Sequence, residues 1–336
     1  MAAKIKPRSE VDYREKLEDV IPLSTPFTLY IDPSSACNFQ CTFCPTGDRN
    51  LIKQVNRKVT QMSFELFKKI IDDLDSFDGV IKLLRLHKEG EPLLNKDFTK
   101  MVKYAKQSKK ILKIDTTTNA SLLNPKKNLE IIEAGLDRIN ISIEGLTQKQ
   151  YLDIAKYKIN FDELVDNIKH FYENKGNCEV SVKIPGDWLS QEQKKEFISI
   201  FSPIADRIFI ENISNCWPDY EMNGIKINEN IGVYGHEKKD IDICPYIFYS
   251  MAINSDGTVS ACCVDWERKL ILGDTKEEKV KDIWLGKKLN KLQILHLNKK
   301  RKNYSICSKC HLAQSCAGDD IDDFASDILK RLENCD

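Results

Sequence analysis

The sequence predicts an α/β fold in which six β-then-α units build a parallel sheet, followed by a small α+β segment rich in cysteine. Three observations predict it. Short apolar or β-rich runs alternate with amphipathic helical patterns from Phe27 to Glu211. Successive units of this kind assemble as parallel strands with right-handed crossovers. Beyond Ile243 the pattern changes to two short strands around a turn signal, a helical stretch and clustered cysteines. Curled, such a sheet is a partial (β/α)6 TIM-like barrel; flat, it is doubly wound. Either way, ligands sit at the C-terminal ends of the strands.

Each element follows from its pattern. Residues 1–25 read as a short helical arm, and "FTLYID" (27–32) as the first strand. "SFELFKKIIDDL" (63–74) is a helix capped by Ser63, with Phe64, Phe67, Ile70, Ile71 and Leu74 on one face. "VIKLLRLH" (80–87) and "KDFTKMVKYAKQ" (96–107) form the second unit. "ILKIDTTT" (111–118) and "NLEIIEAG" (128–135) form the third, its helix ended by Gly135. "RINISIE" (138–144) is the fourth strand, with helical segments at 147–155 and 161–173. "CEVSVKIPG" (178–186), a helix at 190–201 and "DRIFIE" (206–211) complete a domain over 26–212. Periodicity is lost over 213–243, which reads as a linker. In the C-terminal domain, 244–336, "FYSMAINSDGTVSACC" (248–263) reads as two strands turning at Asp256-Gly257, and 282–300 is mostly helix.

Composition excludes several function classes. Hydrophobic residues make up 41% and charged residues 30%, enough for a sizeable core. A formal net charge of zero argues against nucleic-acid binding by bulk charge. The N-terminus lacks the apolar region of a signal peptide, and no apolar run approaches a membrane span. The reading is a cytoplasmic protein, in which twelve cysteines favour metal binding over disulfides.

Three of those cysteines fall in "CNFQCTFCP" (37–45), just after the first strand and so on the ligand-binding face. Cys41 and Cys44 alone resemble a redox pair, and a zinc site would need a fourth ligand. Three thiolates on one loop suit a cubane iron–sulfur cluster with one iron left without a protein ligand. C-x3-C-x2-C at this place, with Phe43 before the last cysteine, resembles the radical S-adenosylmethionine (radical SAM) superfamily. The resemblance implies the curled sheet. It implies that Cys37, Cys41 and Cys44 hold a 4Fe–4S cluster whose open iron takes the amino and carboxylate groups of SAM. It further implies reductive cleavage of SAM to methionine and a 5′-deoxyadenosyl radical, with a reducing flavodoxin or ferredoxin as partner. "KEGEPLL" (88–94) resembles the family's "GGEPLL" element and places SAM contacts at Glu89, Gly90 and Glu91, Glu89 standing where the family often has Gly. "TTTNA" (116–120) and "NISIEG" (140–145) resemble "TNG" and "SLDG", which implies positions near SAM for Asn119, Ser142 and Glu144.

The later cysteines give a second pattern. C-x12-G-x4-C from Cys244 to Cys262, then C-x2-C-x5-C at Cys307, Cys310 and Cys316, resembles the SPASM auxiliary-cluster extension or its shortened form, Twitch. Asp320 stands where the full form has another cysteine, and no partner shortly precedes Cys244. One auxiliary 4Fe–4S cluster is implied, held by Cys244, Cys262, Cys307 and Cys310. Cys316 can replace one of the last pair, and Cys263 can replace Cys262 although Gly257 sets the register against it. A second cluster from Cys307, Cys310, Cys316 and Cys335 is the competing arrangement, and zinc the competing metal. Cys178 reads as a small buried hydrophobe.

Strand alternation puts Arg85 and His87 on one face, and Tyr30 with Asp32. Polar groups at strand ends favour a polar substrate. Asp265, just past the second auxiliary ligand, is the candidate base. Only about 25 residues precede the barrel, too few for a peptide-recognition domain. The expected substrate is therefore a sugar, aminocyclitol or nucleotide-sugar, oxidised at an alcohol carbon with the auxiliary cluster as electron acceptor. Epimerisation, peptide maturation and a non-enzymatic metal scaffold are the competing readings.

Overall fold

The computed structural model describes residues 2–8, 10, 14–222, 224–316 and 318–333. Cys335, weighed above as a cluster ligand, lies outside the described residues. The chain opens with a strand, β1 (Lys4–Ile5), where a helical arm is expected. The reason is an available sheet edge: Lys4 and Ile5 pair in parallel with Arg207 and Ile208, whose backbone groups would otherwise face outward. Among the described residues of the arm, helix is confined to a single turn, Leu17–Val20.

The six expected strands are all present: β2 (Thr28–Ile31), β3 (Ile81–Arg85), β4 (Ile111–Thr118), β5 (Arg138–Ser142), β6 (Glu179–Pro185) and β7 (Arg207–Glu211). Three short strands follow, β8 (Ser250–Ile253), β9 (Thr258–Ser260) and β10 (Ile271–Asp274). All ten belong to one sheet, in the order β1-β7-β6-β5-β4-β3-β2-β8-β9-β10. The pairings from β1 through to β8 are parallel and those of β9 antiparallel. The C-terminal segment thus extends the barrel sheet: Thr28 to Ile31 stand opposite Ser250 to Ile253. Gly257, at φ +92°, makes the β8–β9 turn that the Asp-Gly pair predicts.

Helices α1 (Phe64–Asp73), α2 (Phe98–Gln107), α3 (Pro125–Glu133), α4 (Gln148–Ile154), α5 (Phe161–Asn174) and α6 (Gln191–Phe201) cover the outside. Side chains of Ser63, Asn124, Thr147, Asn160 and Ser190 cap five of them, each cap contributing about 1 kcal/mol. Alternation then divides each strand. Leu84, Ile114, Ile139, Ile141, Val180, Val182 and Ile208 pack with Phe67, Val102, Ile131, Phe171 and Phe197 of the helices. The intervening positions are largely polar, and they pair across the interior: Arg138 with Asp115 (2.7 Å), Arg207 with Glu179 (2.9 Å) and Lys183 with Glu211 (2.5 Å).

Residues 282–300 split at Gly286 into the end of Val280–Trp284 and α7 (Lys287–Leu297). In the extended conformation adopted at Gly286 a Cβ would stand 2.8 Å from Asp282 O, a close approach that glycine permits and that lets the chain turn there. Between 213 and 243 there is neither helix nor strand among the described residues, but the segment is packed. Ile213, Tyr220 and Met222 share a small core with Ile52 and Trp266, and Val233 N donates to Ser315 O (2.7 Å). No helix among the described residues is long and apolar enough to cross a membrane.

The layering is checked by a contrast of two leucines. Leu84 is fully buried and Leu112 is 57% exposed. Urea denaturation should show Leu84→Ala destabilised by about 2–5 kcal/mol and Leu112→Ala changed by under about 0.5 kcal/mol.

Candidate active site

The loop after β2 carries Cys37, Cys41 and Cys44 with free thiols. Gln40 N and Thr42 N donate to the carbonyls of Ala155 (2.8 Å) and Ile154 (3.0 Å), which ties the loop to the end of α4. Phe39 is buried beneath it against Tyr151 and Tyr157. Two glycines permit close backbone approach. A Cβ at Gly47 would lie 2.5 Å from Cys41 O, and one at Gly90 only 2.1 Å from Ala36 O. Glu91 N donates to that same Ala36 O (2.8 Å), so the turn after β3 braces the residue before Cys37. Burial, with neighbouring Glu91, pushes the Cys37 thiol up to about 12, and burial raises Cys41 and Cys44 too. A cationic iron core reverses that penalty, because it stabilises the three thiolates together.

The other expected SAM residues lie around this loop. Glu91 accepts from Thr118 Oγ1 (2.7 Å) and Leu93 N (3.0 Å) at one oxygen and from Asn119 N (2.8 Å) at the other. Asn119 Nδ2 donates to Asn38 Oδ1 (2.9 Å), inside the cysteine loop. Glu144 is buried, with Oε2 unpartnered, and burial raises its carboxyl to about 7. Its charge is felt by all three loop thiols. Ser142 ends β5 opposite Lys183, and Phe43 stacks near Trp188 (5.7 Å). Glu89 is engaged elsewhere: its oxygens meet Lys88 (2.6 Å), Arg268 (2.8 Å) and Arg57 (3.6 Å). Burial raises its carboxyl, but these three cations outweigh it and hold Glu89 at about 2. Arg57 also donates to Thr46 Oγ1 and Trp266 O, which links the cysteine loop to the C-terminal segment.

Cys244, Cys262, Cys307 and Cys310 line one enclosed space together with His296 and Arg301. Neither Cys263 nor Cys316 lines it; both pack with Cys216 on its flank. Cys178 is buried in the barrel core. Among the described residues no three His, Cys, Asp or Glu side chains are grouped closely enough to hold a single metal ion.

The radical SAM superfamily model matches residues 31–188, and that of an iron–sulfur cluster-binding domain, SPASM, matches residues 244–311. The chain belongs to the radical SAM superfamily. Its cofactors are SAM, the SAM-binding 4Fe–4S cluster and an auxiliary cluster in the SPASM domain. The two thiol sets fit these groups in donor type and number. Among curated relatives, the GTP 3′,8-cyclase of Campylobacter lari is 28% identical over 212 residues, 61% of either chain. The chain therefore spans 61% of that relative's length. The structure of BtrN in complex with AdoMet and 2-DOIA is similar at TM-score 0.54 and 18% identity, covering 84% of this chain and 92% of that one. Streptococcus suis SuiB bound to precursor peptide SuiA is similar at TM-score 0.61 and 19% identity, covering 90% and 73%. At these identities the two structures share the fold.

Inside the radical SAM barrel, Tyr30, Arg85 and His87 come together. The Arg85 guanidinium lies over the Tyr30 ring (5.6 Å), and His87 meets that ring edge-on (5.9 Å). Asp265 does not join them. Its two oxygens accept from Lys269 N and Leu270 N (both 2.9 Å) and it lines the auxiliary space, so the expected base is an anchor of its own loop. Lys183 and Glu211 are interior residues that sequence analysis passed over, although a lone Lys in "VSVKIP" and a Glu closing "RIFIE" are strand-end signals. Arg57, Lys88 and Arg268 carried no such signal, because only the fold brings them to Glu89.

Gly90→Ala should displace the turn from Ala36 and leave the SAM-cluster loop misplaced. Reconstituted protein should then lose roughly four irons, while stability falls by about 1–3 kcal/mol. Iron assay and urea titration check both. His87 gives a pH test. Burial lowers its affinity for protons to about 3, so it stays neutral when folded. The unfolded chain binds that proton near 6.5, so the stability present above 6.5 is lost as pH falls towards 3. The loss should reach ~1.4 kcal/mol per pH unit and should disappear in His87→Gln.

Proposed function

We propose that this radical SAM enzyme dehydrogenates an alcohol carbon of a small polar substrate such as a sugar, aminocyclitol or nucleotide-sugar. One observation carries the reading. Cys262 lines the auxiliary space, while its neighbour Cys263 lies close enough to Tyr30 in the barrel interior for each to bear on the other's charge. A substrate held by Arg85 and His87 would sit beside that wall. When bound, the clusters supply reductive SAM cleavage on one side and a one-electron acceptor on the other. Cys37, Cys41 and Cys44 hold the first, and Cys244, Cys262, Cys307 and Cys310 the second. Glu91 orients the SAM pocket through Asn119 and Thr118; Gly90, Phe43, Ser142 and Glu144 complete it. The polar interior binds and orients the alcohol. The net change is balanced: one SAM and one secondary alcohol give methionine, 5′-deoxyadenosine, a ketone and a proton.

Anaerobic reconstitution with a reducing flavodoxin or ferredoxin tests this. About eight irons, reductant-dependent SAM cleavage and a product two hydrogens lighter are expected. Cys262→Ser and Cys307→Ser should lose about four irons and the ketone but keep SAM cleavage, and Cys316→Ser should keep both. Bound zinc without SAM cleavage would sink the enzyme reading. Solvent deuterium at one carbon of an isobaric product would replace oxidation by epimerisation.

A further inference from the structure

The barrel interior contains a buried hydrogen-bond donor that lacks an acceptor, Arg85 Nε, and the N-terminal segment brings a second guanidinium into the same interior. After β1 the chain crosses the N-terminal ends of the strands. There Arg138 Nη1 donates to Arg8 O (3.4 Å) and Arg207 Nη1 to Glu10 O (2.7 Å). The Arg8 side chain enters the interior, where Nη1 donates to Thr117 Oγ1 (3.1 Å). Tyr234, Glu211 and Tyr30 lie close enough to bear on its charge.

Thr117 fixes the next group. Its Oγ1 is 3.4 Å from His87 Nε2. Where the Thr117 hydroxyl, already accepting from Arg8, donates its own hydrogen to Nε2, the proton of the neutral ring sits on Nδ1. That Nδ1 is buried and has no partner. Arg85 Nε is likewise buried without a partner, and Arg85 reaches Asp115 only at 3.9 Å. Among the interior carboxylates, Asp115 is engaged with Arg138, though its Oδ1 stays unpartnered, and Glu211 with Lys183, while Glu144 beside the cysteine loop keeps Oε2 unpartnered. Four cations, Arg8, Arg85, Arg138 and Lys183, thus share one interior with Asp115 and Glu211, and Arg85 Nε lacks an acceptor there. Such an arrangement is costly unless an acceptor of opposite charge completes it.

We propose that Arg8, Arg85 and His87 form a subsite for an oxyanion carried by the substrate, a phosphate or a carboxylate. The proposal rests on the reading of the interior as the substrate site. Arg8 then comes from the arm and not from any barrel strand, so the arm is part of the specificity apparatus.

Calorimetric titration of the anaerobically reconstituted full-length protein tests it, with inorganic phosphate and glycolate as probes, each with and without SAM at constant ionic strength. Saturable binding is expected, weakened roughly tenfold or more by Arg8→Gln and by Arg85→Gln, and less by Arg8→Lys, which keeps the charge. Iron content and circular dichroism check folding, and Arg85→Gln carries the comparison if Arg8→Gln releases the arm. Tighter phosphate identifies a phosphorylated substrate, and tighter glycolate a carboxylate. No saturable binding, or wild-type affinity in both Gln variants, overturns the proposal. So does displacement of the probe by SAM, since the anion would then be SAM's own carboxylate. The readout needs no turnover, so failure of the dehydrogenase reading and failure of this subsite give different results.

Discussion

The carboxylate of Glu89 is the point at which the parts of this molecule are fastened together. It is buried, and three cations from three regions meet it: Lys88 beside it, Arg57 from behind the cysteine loop and Arg268 from the C-terminal domain. Arg268 continues to Asp256 (2.5 Å), and Lys88 to the carbonyl of Asp265. A buried charge with its partners in place is a weak source of net stability, but removing one partner costs about 3–5 kcal/mol. The interaction therefore works as a constraint on geometry more than as a store of energy. It holds the turn after β3, the loop of the SAM-cluster thiols and the auxiliary domain in one arrangement.

This accounts for the departure from the family's usual glycine at that position. A glycine there would leave Arg57 and Arg268 buried without their shared anion. The neighbouring Gly90 cannot vary for a different reason, the lack of room against Ala36 O. Adjacent residues in one short motif thus answer to unrelated constraints, electrostatic for Glu89 and steric for Gly90.

How much was legible follows the same division. The six barrel strands were readable because each is an apolar run whose outer face meets a helix with a 3.6-residue stripe, and side-chain caps mark most helix starts. The cysteine spacings were readable because they are local. What sequence could not give was any contact made by distant segments. The segment of β1 reads as part of a helical arm, since two residues on an open sheet edge leave no periodic signal. Asp265 looked like a base by its place beside a cluster ligand, and only the fold reveals the two amides that occupy it. Arg8 lies in a charged stretch with no pattern, 109 residues from the threonine it meets.

The parallel pairing of β8 with β2 bears on how such an enzyme can be dissected. The auxiliary domain closes one edge of the central sheet with its own backbone. A barrel cut free at residue 243 would expose β2 along its whole length, an unprotected edge able to recruit other chains. The iron–sulfur appendage is thus also a safeguard against aggregation, and the two halves are to be studied as one folding unit.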